Sequence, residues 1–270
     1  MRAAMRLVLL GLTLVLNFTV WFVFRILLLW SDSLTRSWRH LMVRFWSIAA
    51  ARIIGLHIHV EGIAPQRPFC LVSNHLSYLD ALLMQITTES LQIAKSDIAS
   101  WPLVGWLAAR LGTIFIDRTT ARDVMRVNDI IRTSLKNNEG VVFFPEGTTS
   151  DGSSVGTFKS SLLNYPAEAT YPVHYASISY SAPGYDASET VCWWADMTFG
   201  AHFFDLLRIP RIEASIIFGP EPVTETDRKK LTSVLQSRVA DQFVPVRKHT
   251  ALRDANSAHE SNGARDRTRY

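Results

Sequence analysis

The chain of 270 residues is short of several things that would name a chemistry outright. It has two cysteines, Cys70 and Cys192, and no CxxC pair. Both lie in apolar runs and read as buried free thiols, consistent with a reducing compartment. There is no HExxH, no Walker loop, no GxGxxG and no GxSxG, which removes the commonest routes to metalloprotease, nucleotide and serine-hydrolase function. No internal repeat is visible. A basic isoelectric point is the sole support for nucleic-acid binding.

Acid is scarce at one end. The first 54 residues hold seven Arg and one carboxylate, Asp32, while the remainder carries a small net negative charge. Within that basic stretch Leu7 to Phe24 is an uncharged run, broken at Arg25 and resumed as Ile26-Leu27-Leu28-Leu29-Trp30. Roughly 17–25 apolar residues suffice to cross or embed in a bilayer as a helix. Arg2 and Arg6 resemble the basic start of a signal peptide, but the run is long for one and no small-x-small site follows; a retained anchor is the better reading. Arg36, Arg39, Arg44 and Arg52, mixed with Leu41, Phe45, Trp46 and Ile48, describe an amphipathic helix at the interface whose cations favour anionic lipid. Cations flank both sides of the run. Their larger number after it favours a cytoplasmic catalytic domain.

Beyond residue 55, β-like runs alternate with helical patterns, which predicts an α/β sheet with crossover helices. Strands are expected at Leu56–Val60, Phe69–Ser73, Leu91–Lys95, Thr113–Asp117, Val141–Phe144, Val173–Tyr180, Thr190–Trp194 and Ile212–Phe218. Helices are expected near 77–88 (with Ser77 as cap), 100–111, 121–137 and 225–242 (capped by Thr224). The division is thus residues 1–54 as anchor and amphipathic helix, 55–246 as one α/β domain, and 247–270 as a polar, disordered tail.

The polar residues of interest follow the carboxyl ends of predicted strands, where open α/β sheets bind ligands. His75 follows 69–73, Lys95 ends 91–95, Arg118 follows 113–117 and Glu146 follows 141–144. In Asn74-His75-Leu76-Ser77-Tyr78-Leu79-Asp80, an imidazole can take a proton from an alcohol while a carboxylate holds its other nitrogen. That pairing requires His75 to precede the helix and Asp80 to sit in its first turn. Taken alone, Asp80 reads first as the acid of a capping box begun by Ser77. Arg118 beside a helix start suits an anion, or else a salt bridge to Asp117 or Asp123. Pro145-Glu146-Gly147-Thr148 makes a rigid polar turn in which Gly147 permits close approach of a ligand. His57 and His59 alternate along one strand with no evident third metal ligand.

Taken together, these segments are similar in order and spacing to the blocks of the glycerolipid acyltransferase family, which includes bacterial 1-acylglycerol-3-phosphate acyltransferases. His75 to Asp80 resembles its first block, Gly112 to Arg118 its second, Phe144 to Thr148 its third, and Tyr171-Pro172-Val173 its fourth, over roughly residues 55–220. The resemblance implies a single acyltransferase domain with a mixed β-sheet flanked by helices, preceded by a membrane-embedded helical segment, in a bacterial inner membrane. It implies His75 as base and Asp80 as its partner. Arg118, Glu146, Gly147, Thr148 and, less directly, Lys95 would bind the acceptor, a lysolipid such as 1-acylglycerol 3-phosphate. The donor would be an acyl carrier protein or coenzyme A thioester, with no metal or other cofactor. One departure bears on the acceptor: the third block often continues with Arg where this chain has Thr149, a loss of a bidentate phosphate partner that leaves lyso-ornithine lipid as the alternative.

Overall fold

The computed structural model describes residues 1–27, 30–101, 104–110 and 112–246. The tail expected at 247–270 lies outside them. In chain order the elements are α1 (Arg2–Leu27), α2 (Asp32–Ile54), β1 (Leu56–Glu61), β2 (Phe69–Ser73), α3 (Leu79–Thr88), β3 (Leu91–Lys95), α4 (Val104–Arg110), β4 (Ile114–Ile116), α5 (Ala121–Lys136), β5 (Gly140–Phe143), α6 (Asn164–Glu168), β6 (Val173–Ser181), α7 (Ala187–Thr190), α8 (Phe199–Leu206), β7 (Ile212–Phe218) and α9 (Arg228–Gln242).

Seven strands form one mixed sheet in the order β1-β7-β6-β2-β5-β3-β4. Every neighbouring pair is parallel except β6 with β7. The central strands β2 and β5 are buried on both faces, as their unbroken apolar sequences require. On one face Leu71 and Val142 pack with residues of α2, α3, α7 and α8. On the other, Cys70, Val72, Val141 and Phe143 meet Val127, Ile131 and Leu135 of α5 and Leu231, Leu235 and Val239 of α9. The adjacency of β2, β5, β3 and β4 brings the four strand ends singled out in the sequence to one edge of the sheet.

Several local expectations change. The segment Thr190–Trp194 is no strand; Thr190 closes α7, and Trp193 N–H instead donates to the Leu76 carbonyl (2.9 Å). Helix α9 is capped by Asp227, whose side chain accepts from Lys230 N–H (2.7 Å), not by Thr224. That start places Leu231, Leu235 and Val239 at i, i+4 and i+8 on the core face. The helix expected over 100–111 is shorter, preceded by a 3₁₀ turn at Ser96–Ser100.

Helices α1 and α2 pack against each other through contacts such as Phe24 on Trp38 (4.9 Å) and a bond from Trp38 Nε1 to the Trp21 carbonyl. Only 11% of the most apolar window of α1 is buried, and Leu12, Val15, Leu16 and Phe22 face outward. By length and composition this helix can cross a membrane. Its basic residues behave differently from expectation. Arg6 is buried, donating to the carbonyls of Leu207, Ile209 and Pro210, and Arg2 reaches the Arg208 carbonyl. On α2, Arg39 and His40 bond the buried Glu139 and Arg44 bonds Glu89. These contacts fasten the helical pair to the sheet domain. The apolar side of α2 still exposes Leu34, Leu41 and Phe45.

Candidate active site

His75 lies two residues past β2, in the bend before α3. Three anchors fix that bend. Asn74, wholly buried, spans to β6 with its side chain, donating to the Ile178 carbonyl (2.9 Å) and accepting from Ile178 N–H (2.7 Å). The His75 N–H donates to Glu146 Oε1 (3.1 Å), and its carbonyl accepts from Ser150 N–H (3.1 Å). The imidazole stacks flat on Phe144, centroids 4.1 Å apart and planes 8° apart. The ring therefore has one orientation, with its side chain 22% exposed.

Asp80 supplies the complement. Its Oδ2 lies 2.7 Å from His75 Nδ1 and also accepts the N–H groups of Leu76 (2.7 Å) and Ser77 (3.0 Å). Helix α3 begins at Leu79, and Ser77 Oγ accepts only a long bond from Leu79 N–H (3.4 Å). The two readings of Asp80 are both satisfied: one oxygen caps the bend and holds the imidazole. Its Oδ1 takes a bond from Tyr180 Oη on β6 (2.6 Å). Asp80 and Tyr180 are both buried. With Nδ1 donating to the carboxylate, Nε2 of His75 is the nitrogen free to accept a proton.

The turn after β5 forms the adjoining wall. Gly147 has a left-handed backbone, φ +78°, which favours glycine, and a methyl group there would stand 2.4 Å from Arg118 Nη1, so the guanidinium would have to move aside. Arg118, two residues past β4, donates through Nη2 to the Phe144 carbonyl (3.2 Å). Neither alternative salt bridge forms: Asp117 is bonded by Thr119 and Thr120, and Asp123 by Arg126. Burial alone lowers the Arg118 pKa, which is the signature of a desolvated cation with no carboxylate beside it.

Glu146 is turned inward and 5% exposed, spent on the N–H groups of His75 and Gly156. Burial chiefly, with the charge of Asp80 adding to it, pushes its carboxyl up to about 7 against those two bonds. Thr148 stands exposed on the turn. Lys95 ends β3 between β5 and β4, but its ammonium faces solvent and pairs with Asp97. Asp80, His75, Glu146, Gly147 and Arg118 are thus brought together; Lys95 is set apart at the surface. Asn74 and Tyr180 were not singled out as site residues by sequence reasoning. Tyr180 gave no local signal, being one aromatic in an alternating strand.

Beside the bend, Tyr78 leads an aromatic group with Trp193, Phe199 and Phe203, and Trp101 joins it through Phe199. Tyr78 Oη is bonded to His202 Nδ1 (3.1 Å). Among the described residues no three His, Cys, Asp or Glu side chains gather as metal ligands, and His59 instead meets Glu213 (2.8 Å).

Comparison with known proteins agrees with this geometry. A family model described as Acyltransferase matches residues 56–179, from β1 into β6. A lyso-ornithine lipid O-acyltransferase of Rhizobium meliloti is 33% identical over 251 residues, covering 87% of this chain and 84% of that protein. The chain belongs to the glycerolipid acyltransferase family. Another relative of this acyltransferase, the lyso-ornithine lipid O-acyltransferase of Pseudomonas aeruginosa, is 31% identical, over 74% of this chain and 78% of its own. The 1-acyl-sn-glycerol-3-phosphate acyltransferase of Neisseria meningitidis is 32% identical over a shorter stretch, 54% of this chain and 61% of its own. The crystal structure of the 1-acyl-sn-glycerophosphate (LPA) acyltransferase of Thermotoga maritima shares the fold, with a TM-score of 0.61 at 22% identity over 89% of this chain and 97% of its own. The acyltransferase is membrane-associated, and its reaction moves an acyl group from a donor to a lysolipid acceptor.

Proposed function

We propose that the protein transfers a fatty acyl group from an acyl thioester, on acyl carrier protein or coenzyme A, to the free hydroxyl of lyso-ornithine lipid. The observation that carries the chemistry is the fixed Asp80–His75 pair with Nε2 left to face a substrate. In this reading Nε2 takes the acceptor's hydroxyl proton as the oxygen attacks the thioester carbon. The tetrahedral intermediate collapses with cleavage of the C–S bond, and the imidazolium returns its proton to the departing sulfur. No acyl-enzyme and no metal is required. Arg118 holds the acceptor's anionic group, Gly147 gives it room, Glu146 fixes the turn and the His75 bend together, and Thr148 borders the entrance.

Support for the acceptor comes from relatives that align over most of their length and from Thr149, where a hydroxyl stands in place of a guanidinium. A second reading, acylation of 1-acylglycerol 3-phosphate to phosphatidic acid, rests on the Neisseria relative and on the desolvated Arg118. With α1 as anchor, the sheet domain works at the cytoplasmic face of a bacterial inner membrane, where acceptor and product both remain. The test is to supply each acceptor, with a labelled acyl thioester, to membranes containing the protein. Faster labelling of lyso-ornithine lipid supports the first reading, faster labelling of 1-acylglycerol 3-phosphate selects the second, and labelling of neither contradicts both.

A further inference from the structure

Two cationic side chains close on the same glycine. A methyl group placed at Gly147 would stand 2.4 Å from Arg118 Nη1 and 3.4 Å from Lys159 Nζ. The two arrive from different parts of the chain, and the main chain of one turn holds each. Arg118 Nη2 donates to the Phe144 carbonyl (3.2 Å), and the Lys159 backbone N–H donates to the Pro145 carbonyl (3.0 Å). Upstream of Lys159, Gly156 N–H bonds Glu146 and Phe158 N–H bonds Gln236 Oε1 (3.2 Å), so the strap bearing Lys159 is tied across the turn. Among the described residues neither cation has an ion-pair partner, whereas Lys95 and Arg126 do. Like charges set together repel unless an anion lies between them.

We propose that Arg118 and Lys159 form a two-cation clamp for the anionic group of the acceptor, Lys159 supplying the second positive charge that Thr149 does not. The clamp takes an oxyanion on a lipid headgroup, either the carboxylate of ornithine or a phosphate monoester, both of which offer paired oxygens to two donors. Lys159 is exposed at the mouth of the turn, where a headgroup can reach it, while half-buried Arg118 lies deeper. This inference rests on the reading of the acceptor as an anionic lysolipid, and it makes Lys159 a specificity residue that recognises charge rather than chain.

The experiment has two arms. In the first, Lys159→Met keeps the apolar stem and removes the charge, and Lys159→Arg restores it. A charge-assisted contact of this kind predicts a rise in acceptor KM of roughly tenfold for Met and recovery for Arg, the loss falling on KM rather than kcat. The second arm needs no turnover: reductive methylation of lysines, read residue by residue by mass spectrometry, with lyso-ornithine lipid, 1-acylglycerol 3-phosphate or neutral 1-acylglycerol present. Slower methylation of Lys159 with either charged lipid, and not with the neutral one, is the expected result; the stronger protector identifies the anion. An unchanged KM with unslowed methylation overturns the clamp even if acyl transfer proceeds. Equal protection by neutral lipid overturns it too. Selective protection without acyl transfer to either acceptor keeps the clamp and sinks the proposed acceptors.

Discussion

Tyr180→Phe removes one oxygen atom and leaves Asp80 Oδ1 without the donor now at 2.6 Å. The carboxylate is fully buried, so water is not at hand to replace the hydroxyl. A hydrogen bond to a charged group contributes about 1.5–3 kcal/mol, more than a neutral one. For a domain of this size, a loss of about 2 kcal/mol lowers Tm by roughly 4–8 °C. The effect on rate works through geometry. Three donors remain on Oδ2, but nothing pins the second oxygen, and the carboxylate can turn away from His75 Nδ1. Misplacing a catalytic group can cost about 10²-fold, and a kcat loss approaching that is expected with little change in either KM. The assay is the initial rate of acyl transfer in detergent micelles, with thermal unfolding of the same samples. Asp80→Asn supplies the second leg of a double-mutant cycle: if Tyr180 acts through Asp80, adding Tyr180→Phe to Asp80→Asn lowers kcat little further. Wild-type kcat in Tyr180→Phe, or strictly additive losses, would refute the reasoning.

Gly147→Ala forces a methyl group to 2.4 Å from Arg118 Nη1 on a backbone at φ +78°; acceptor KM should rise at least severalfold with about 1 kcal/mol lost in stability, and an unchanged KM would show that Arg118 does not face the acceptor. For Glu146, the folded value of about 7 lies above its ordinary 4.5, so the folded protein holds the extra proton between them. Its contribution to stability is therefore greatest below about pH 4.5 and declines as pH rises to about 7, by up to roughly 3 kcal/mol. Glu146→Gln should flatten the fall in Tm between pH 5 and 8, and an undiminished slope would assign that fall to another group. Arg6→Met withdraws a buried guanidinium from three carbonyls, so Tm in detergent should drop while kcat of the folded fraction holds; an unmoved Tm would mean that α1 is seated by other contacts.

The strands were legible because β2, β3 and β7 are apolar or alternating runs bounded by turn residues, and their ends carried His75, Lys95 and the neighbouring polar turns. Local pattern failed where the buried segment is irregular. Val191-Cys192-Trp193-Trp194 is apolar enough for a strand, but its backbone bonds go to Ala187 and Leu76, and short apolar runs do not distinguish these outcomes. Similarly, Thr224 and Asp227 are both fit to cap a helix, and the positions of Leu231, Leu235 and Val239 decide for Asp227. The basic N-terminal region read as lipid-facing because nothing local reveals that Arg6 finds its acceptors some 200 residues away. Sheet topology, which spacing along the chain does not specify, placed Tyr180 against Asp80, and a backbone bond to Pro145 set Lys159 beside Gly147. Thus His75 and Asp80 could be paired from sequence, while the residues that orient and flank them required the fold.

The central claim is that His75 Nε2, set by Asp80, removes the proton from a lysolipid hydroxyl. Its most direct test is single-turnover transfer from a labelled acyl thioester to lyso-ornithine lipid by purified wild type and His75→Ala, with Tm recorded for both. The account predicts a fall of about 10²–10⁴-fold in the chemical step with Tm largely kept. A His75→Ala protein that transfers the acyl group at the wild-type rate would contradict it.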